Sequence, residues 1–163
     1  MLRALVTMCV MLMAALPASA QPTRSGDAAA IATATAYLDA YQALDLARLQ
    51  AFYADNATFD DPTSLRVPGI GGPFVWYGRS EVLAGIRSWT KSVASLRYDI
   101  EHVYESSGRV VFVGAVNPLV RTPNGTAQFR YRIVTIVTVE RGRVSEHRDY
   151  TDYAGATKVA AAP

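Results

Sequence analysis

The hydrophobic pattern of the chain changes its period near residue 95. Upstream, apolar side chains recur every three or four residues, as from Ile31 to Tyr41, which indicates amphipathic helices. Downstream, apolar and polar side chains alternate, as from Leu96 to Tyr104, which indicates long strands with one buried face. Helices followed by long strands predict an α+β fold, with a strongly curved, mostly antiparallel sheet wrapped on the N-terminal helices. Such a cone-shaped sheet leaves an apolar pocket at its open end.

Local signals divide the chain into elements of one domain, which we expect to span residues 28–155. Asp27 and Asp45 are suitable caps for two helices, and Ser80 with Glu81 begins a third. Glycine and proline are concentrated over residues 62–78, which predicts a long loop with a brief hairpin at 74–76. The predicted elements are helices at 27–43, 46–53 and 80–93, a short strand at 58–60, and long strands at 96–105, 109–121, 126–140 and 143–153.

The beginning of the chain has the pattern of a secretory signal. Arg3 precedes an apolar run from Ala4 to Leu16, and Ala18-Ser19-Ala20 provides a cleavage site of small residues. This pattern predicts a signal peptide at residues 1–20 that is removed, and therefore an exported protein, periplasmic or secreted. We expect a flexible leader at 21–27, a flexible tail at 156–163, and no integral membrane segment after cleavage.

Composition excludes several classes of function for the mature chain. The single cysteine is Cys9, within the predicted signal, so thiol nucleophiles and cysteine metal sites are excluded. The chain carries 16 Lys and Arg against 14 Asp and Glu, and this near balance gives no electrostatic basis for binding nucleic acid. The sequence contains no metal-ligand or phosphate-binding motif, so we expect neither a metal nor a cofactor.

Two adjacent carboxylates, Asp60 and Asp61, precede Pro62 at the end of the short predicted strand. Because side chains alternate along a strand, at most one of the two points inward. Aspartate is common in turns, where it accepts hydrogen bonds from nearby backbone amides, so a purely local role is one interpretation. An inward-facing Asp61 that acts on a bound molecule is the other.

Three segments, FYADNATFDDP, GRSEVLAGI and RGRVSEHRDYTDY, resemble the nuclear transport factor 2-like superfamily, specifically its SnoaL-like and ketosteroid-isomerase-like branch. The resemblance covers roughly residues 28–155 and implies the cone fold. By matching positions it implies Asp61 as a catalytic base and Tyr37 as the oxyanion donor, with Tyr53 supporting Tyr37. Thr135 stands where these isomerases have a protonated aspartate, and it offers a hydroxyl donor instead.

The ending HRDYTD also resembles limonene epoxide hydrolase, whose water-activating set includes a carboxylate at the position of Asp149. The other positions of that set fall near Ala115 and Asn117, which are neither arginine nor aspartate, so epoxide hydrolysis is disfavoured. Of the two histidines, His102 is expected in the pocket wall and His147 at the surface. The expected pocket and supporting residues are Tyr53, Trp76, Trp89, His102, Asn117, Tyr131, Thr135 and Asp149.

Three functions remain open for a protein that binds a small, largely apolar molecule in such a pocket. The first is an enzyme of the isomerase type, or a related lyase or hydratase, that transfers protons. The second is a non-catalytic carrier or sensor. The third is a dimeric interaction module that pairs through the open face of its sheet, and the sequence leaves the choice between an enzyme and a binding protein open.

Overall fold

A computed structural model describes residues 25–66 and 72–159 of the chain. The helices there are α1 (Ser25–Gln42), α2 (Leu46–Phe52) and α3 (Arg79–Trp89), with a 3-10 helix at Pro62–Arg66. The strands are β1 (Tyr53–Asp61), β2 (Phe74–Tyr77), β3 (Val93–Ser106), β4 (Arg109–Thr122), β5 (Gly125–Glu140), β6 (Arg143–Thr151) and β7 (Thr157–Val159). Two helices precede the first strand and the long strands come last, so the predicted α+β class is confirmed.

The strands form one curved sheet in the order β2-β1-β6-β5-β4-β3, and β7 pairs with β5 outside this path. Neighbouring strands are antiparallel except for β1 and β6, which run parallel. Helix α1 contacts β3 to β6, and α3 contacts β1 and β2. The helices therefore pack on one face of the sheet, which we call the inner face, and the opposite face is the outer face.

Helix α1 presents one buried face to the sheet because its apolar residues recur at helical spacing. Ala34 and Tyr37 are fully buried, and Leu38 and Tyr41 are each 4% exposed. The predicted cap of α2 is confirmed, since the Asp45 side chain accepts a hydrogen bond from the Arg48 amide at 3.0 Å. α2 passes directly into β1, which begins earlier and is longer than the predicted strand at 58–60.

The expected pocket position of His102 is wrong, because the alternation along β3 is interrupted. Ile100 pairs with Gly114 and His102 with Val113, so one extra residue of β3 forms a bulge between them. A one-residue slip moves every following side chain to the opposite face. His102 therefore lies exposed on the outer face of the sheet, and the exposed Tyr104 shares that face.

The ends of the domain and its long loop also differ from the sequence prediction. α1 already begins at Ser25, inside the predicted leader, and Thr157–Val159 of the predicted flexible tail pair with β5. Residues 62–78 include the 3-10 helix and β2, which pairs with β1. The predicted signal peptide lies outside the described residues, and none of α1 to α3 is long and apolar enough to span a membrane.

Candidate functional site

A pocket opens between the inner face of the sheet, β2 and α3, with about 700 Å³ of atom-free space including its mouth. Two carboxylates, Asp61 and Asp149, lie in its wall. Aliphatic side chains such as Ile86, Leu96 and Val116 fill the space between the other groups. Eight aromatic side chains line the pocket: Tyr41, Phe59, Phe74, Trp76, Trp89, Tyr98, Tyr131 and Tyr153.

Asp61, the last residue of β1, is 3% exposed and caps the 3-10 helix that follows it. Its Oδ1 accepts hydrogen bonds from the amides of Thr63 and Ser64, at 3.0 and 3.1 Å, and from the Thr63 hydroxyl at 2.5 Å. Alternation turns Asp60 to the other face, where its carboxylate lies 3.2 Å from the Arg148 guanidinium. Asp61 thus has the local role expected of a turn aspartate and also faces the pocket.

The second oxygen of Asp61 is paired with a phenol of the pocket wall. The Tyr153 hydroxyl donates to Asp61 Oδ2 at 2.6 Å. Burial raises the pKa of the Asp61 carboxyl, the charge of Asp149 adds to this effect, and the hydrogen bonds from Thr63 and Tyr153 oppose it. Burial and the neighbouring Asp61 also raise the pKa of Tyr153, so this phenol keeps its proton and remains a donor.

Asp149, on β6, lies in the same pocket and is held from behind by Thr135 and His147. The Thr135 hydroxyl donates to Asp149 Oδ1 at 2.5 Å. His147 is fully buried, and its Nε2 lies 2.9 Å from Asp149 Oδ2. This contact is close but poorly aligned, so Nε2 has no hydrogen-bond partner of good geometry among the described residues.

Tyr37 and Tyr53 continue this chain of polar groups into the core. The Tyr37 hydroxyl lies 2.7 Å from His147 Nδ1 and 2.5 Å from the Tyr53 hydroxyl, and both tyrosines are fully buried. Burial, together with nearby tyrosines, raises the pKa of Tyr37, and burial raises that of Tyr53, so both stay protonated. The hydroxyl and imidazole protons allow one continuous direction of donation. In it Tyr53 donates to Tyr37, Tyr37 donates to His147, and the N–H of His147 points towards Asp149.

Sequence comparison identifies the family. The model of the SnoaL-like domain matches residues 34–147, which is well over half of the chain. The chain belongs to the SnoaL-like domain family. The resemblance found in the three sequence segments is therefore confirmed. No curated protein sequence matches the chain significantly.

Solved structures share this SnoaL-like fold. A protein of Shewanella denitrificans OS-217, named as a SnoaL-like polyketide cyclase, is 20% identical with a TM-score of 0.68, over 77% of this chain and 91% of that one. An LEH-like epoxide hydrolase of M. tuberculosis is 18% identical with a TM-score of 0.63, over 79% and 86% of the two chains. A protein of Catenulispora acidiphila with a ketosteroid isomerase-like fold, solved with trimethylamine, is 16% identical with a TM-score of 0.59, over 72% and 83%. At these identities the likeness establishes the fold.

The SnoaL-like pocket contains some of the residues expected from the sequence and leaves others outside. Trp76, Trp89, Tyr131, Asp61 and Asp149 line it. Tyr37, Tyr53 and Thr135 do not line it but form the buried support behind Asp149. The position expected for the Tyr37 hydroxyl, facing a ligand beside Asp61, is wrong, because that hydroxyl is directed to Tyr53 and His147.

Asn117 and His147 are also placed differently from the prediction. Asn117 faces outwards, where its side-chain amide donates to Asp99 Oδ2 at 3.0 Å and to the Arg97 carbonyl at 3.2 Å. His147, which we expected at the surface, is in the core of the site. The spacing of two residues between His147 and Asp149 on one strand is the sequence signal that places both on the inner face. Among residues 25–66 and 72–159, no group of three or more potential metal ligands occurs.

Proposed function

We propose that this SnoaL-like protein binds a small, largely apolar molecule in the aromatic pocket and catalyses proton transfer on it, in the manner of an isomerase. One observation carries the proposal: a buried carboxylate with a raised pKa, Asp61, lies in the pocket wall beside a phenol donor, Tyr153. A general base is most effective when its pKa lies near the working pH, so burial adapts an aspartate to this task. The two groups supply the base and the donor that enolisation requires.

In the proposed reaction, Asp61 Oδ2 removes a proton from a carbon next to a carbonyl group. Oδ1 is occupied by three donors from Thr63 and Ser64, so the proton is accepted at Oδ2. In the resting site the Tyr153 hydroxyl donates to that same oxygen. Once Oδ2 carries the proton, the Tyr153 hydroxyl is free to turn and donate to the enolate oxygen, and Asp61 then returns the proton to another carbon. Tyr153 thereby takes the role that the resemblance implied for Tyr37.

The experiment follows the exchange of a substrate proton for deuterium in heavy water. A panel of enolisable ketones, including a β,γ-unsaturated ketosteroid, is incubated with the wild type, with Asp61→Asn and with Asp60→Asn, and both exchange and isomerisation are followed by NMR. We expect exchange with the wild type and Asp60→Asn, and a loss of about 100-fold or more with Asp61→Asn. Equal rates for the wild type and Asp61→Asn would end the assignment of the base.

A non-catalytic carrier is the second candidate, and it is favoured by the complete hydrogen bonding of Asp61. The carboxylate accepts from four donors without any ligand, an arrangement that also suits a purely structural group. Trimethylamine in the Catenulispora acidiphila neighbour is an example of a small molecule bound to a protein of this fold. Mass spectrometry of molecules that co-purify with the protein, together with no exchange in any ketone tested, would support the carrier.

Export and dimerisation are further proposals. The signal pattern at residues 1–20 supports export, and N-terminal sequencing of the protein from a native host is expected to begin at Gln21. The outer face of the sheet supports a homodimer, because Tyr104 and Tyr150 are 58% and 42% exposed there. Light scattering of the purified protein would measure the dimer directly, and a Tyr150→Lys variant is expected to be monomeric.

A further inference from the structure

We infer that the ligand of the aromatic pocket is an organic cation, a small molecule that bears a quaternary or protonated amine. The inference rests on the proposed binding of a small molecule in this pocket and names its chemical class. It starts from two pocket carboxylates that have no lysine or arginine partner among the described side chains.

Several carboxylates outside the pocket have arginine partners. Asp60 pairs with Arg148 at 3.2 Å, and Asp99 pairs with Arg130 at 2.5 Å. The pocket differs, because its wall contains Asp61 and Asp149 but, among the described residues, no lysine, arginine or histidine. The groups that hold these two carboxylates are backbone amides, hydroxyls and, behind Asp149, the ring of His147.

Buried charge without a counter-charge is costly, and the cost falls when an opposite charge enters. A second cavity, the outer cleft, shares Trp76, Trp89 and Tyr131 with the pocket, and Arg121 lies in its wall. Its guanidinium donates to the carbonyl of Val93 at 2.6 Å and to that of Thr90 at 3.1 Å, so it is directed to the end of α3. A cationic ligand is therefore the group that can neutralise the inner carboxylates.

The aromatic wall favours the same class of ligand. Tryptophan and tyrosine rings attract cations through the negative potential of their faces, and the effect is larger when the site is shielded from water. Tyr41 and Trp89 are stacked with an interplanar angle of 5°, and the Phe59 and Trp76 rings lie 4.9 Å apart. These rings line the same pocket as the two carboxylates, and aromatic walls of this kind form the known cages for quaternary ammonium groups.

The arrangement also gives the bound cation an orientation. Trp76, Trp89 and Tyr131 line both the pocket and the outer cleft, so they form its entrance. Asp61 and Asp149 line only the inner part. The ammonium group is therefore expected to pass the entrance rings and to lie against the carboxylates, with the remainder of the molecule towards the mouth.

The test compares choline with its neutral isostere, in which a tert-butyl group replaces the trimethylammonium group. The two probes have the same shape and differ in charge. Trp76 and Trp89 are the two tryptophans of the chain and both line the pocket, so quenching of their fluorescence reports occupancy. Binding is measured with the full-length chain, with Asp149→Asn and Asp61→Asn, and with Asp60→Asn as the matched control outside the pocket.

We expect the wild type and Asp60→Asn to bind choline about ten-fold or more tightly than the isostere. Asp149→Asn and Asp61→Asn are expected to weaken choline binding and to leave the isostere unchanged or tighter. Equal or tighter binding of the isostere by the wild type overturns the inference, as does a failure of both probes to bind or a preference for choline that survives in both pocket variants. If the isostere binds as tightly as choline or more tightly and Asp61-dependent proton exchange is seen, the cation is wrong while the proposed proton transfer stands.

Discussion

The substitution Gly85→Ala tests how closely α3 packs on the pocket wall. A Cβ added at Gly85 would lie 2.2 Å from Cδ2 and Cε2 of the Trp76 indole and 2.7 Å from Cζ2. Ordinary contact begins at 3.4 Å, so the nearest ring atoms must retreat by about 1.2 Å. The ring is already in contact with Phe59, and it forms part of the pocket wall, so it can move only into the pocket or against Phe59.

Two opposing terms set the change in the free energy of unfolding. Overpacking of a well-filled site costs about 1–3 kcal/mol. Replacement of a glycine in a helix interior by alanine returns about 1 kcal/mol. We therefore expect Gly85→Ala to be destabilised by about 1 kcal/mol, with a changed tryptophan emission and weaker binding of pocket ligands, because the displaced indole occupies the cavity.

Urea denaturation in two backgrounds separates the two terms. In a Trp76→Leu protein the clash is absent, so Gly85→Ala is expected to stabilise it by about 1 kcal/mol through the helix alone. The sign of the effect should therefore reverse between the wild type and Trp76→Leu. If Gly85→Ala stabilises both proteins equally and leaves the emission of the wild type unchanged, the indole does not pack on Gly85 and the reasoning is refuted.

Two further predictions concern the polar groups of the site. The pKa of the Asp61 carboxyl is higher in the folded protein than in the unfolded chain. The stabilisation that this difference provides is complete at a pH below the unfolded-state pKa. It is lost as the pH rises through the folded-state pKa, by about 1.4 kcal/mol for each unit by which the two pKa values differ. Asp61→Asn is thus expected to be more stable than the wild type at neutral pH, with a gain that vanishes in acid and is absent from Asp60→Asn in urea titrations; a gain independent of pH would contradict this. Tyr37→Phe removes the partner of both Tyr53 and His147, and it is expected to cost about 1–3 kcal/mol in unfolding free energy. Its proton-exchange rate should stay near that of the wild type, whereas a loss of about 100-fold or more would make Tyr37 an oxyanion donor after all.

The fold was largely predictable because its signals are local. The change of period near residue 95, the Asp45 cap and the break between the strands predicted at 126–140 and 143–153 each depend on neighbours in the sequence, and each corresponds to an observed boundary. The bulge in β3 was not predictable, because a single extra residue is set by pairing with β4 and leaves no mark in the alternation. That one residue moved His102 from the expected inner face to the outer face.

The sequence predicts the direction of a site residue where that direction depends only on the position of the residue along its strand. It does not predict partners that are distant in the sequence. Alternation allows only one of Asp60 and Asp61 to point inward, the resemblance indicates Asp61, and its raised pKa follows from its burial. The partner of its second oxygen, Tyr153, comes from beyond the end of β6 and is 92 residues away, so no sequence spacing indicates it. Local hydrogen bonds to Thr63 and Ser64, by contrast, are those expected of any aspartate in a turn.

The role of Tyr37 depends on which group lies between it and the pocket. A buried phenol can donate to only one acceptor at a time, and the Tyr37 hydroxyl lies 2.5 Å from the Tyr53 hydroxyl and 2.7 Å from His147 Nδ1. When Tyr53 donates to Tyr37 and Tyr37 donates to Nδ1, the proton of a neutral His147 lies on Nε2, the nitrogen that faces Asp149. The phenol therefore acts on Asp149 through the imidazole instead of on a ligand directly. Tyr37 stands at the position that implies an oxyanion donor in the ketosteroid-isomerase-like branch. In this protein Tyr37 and His147 instead orient Asp149 in the pocket wall.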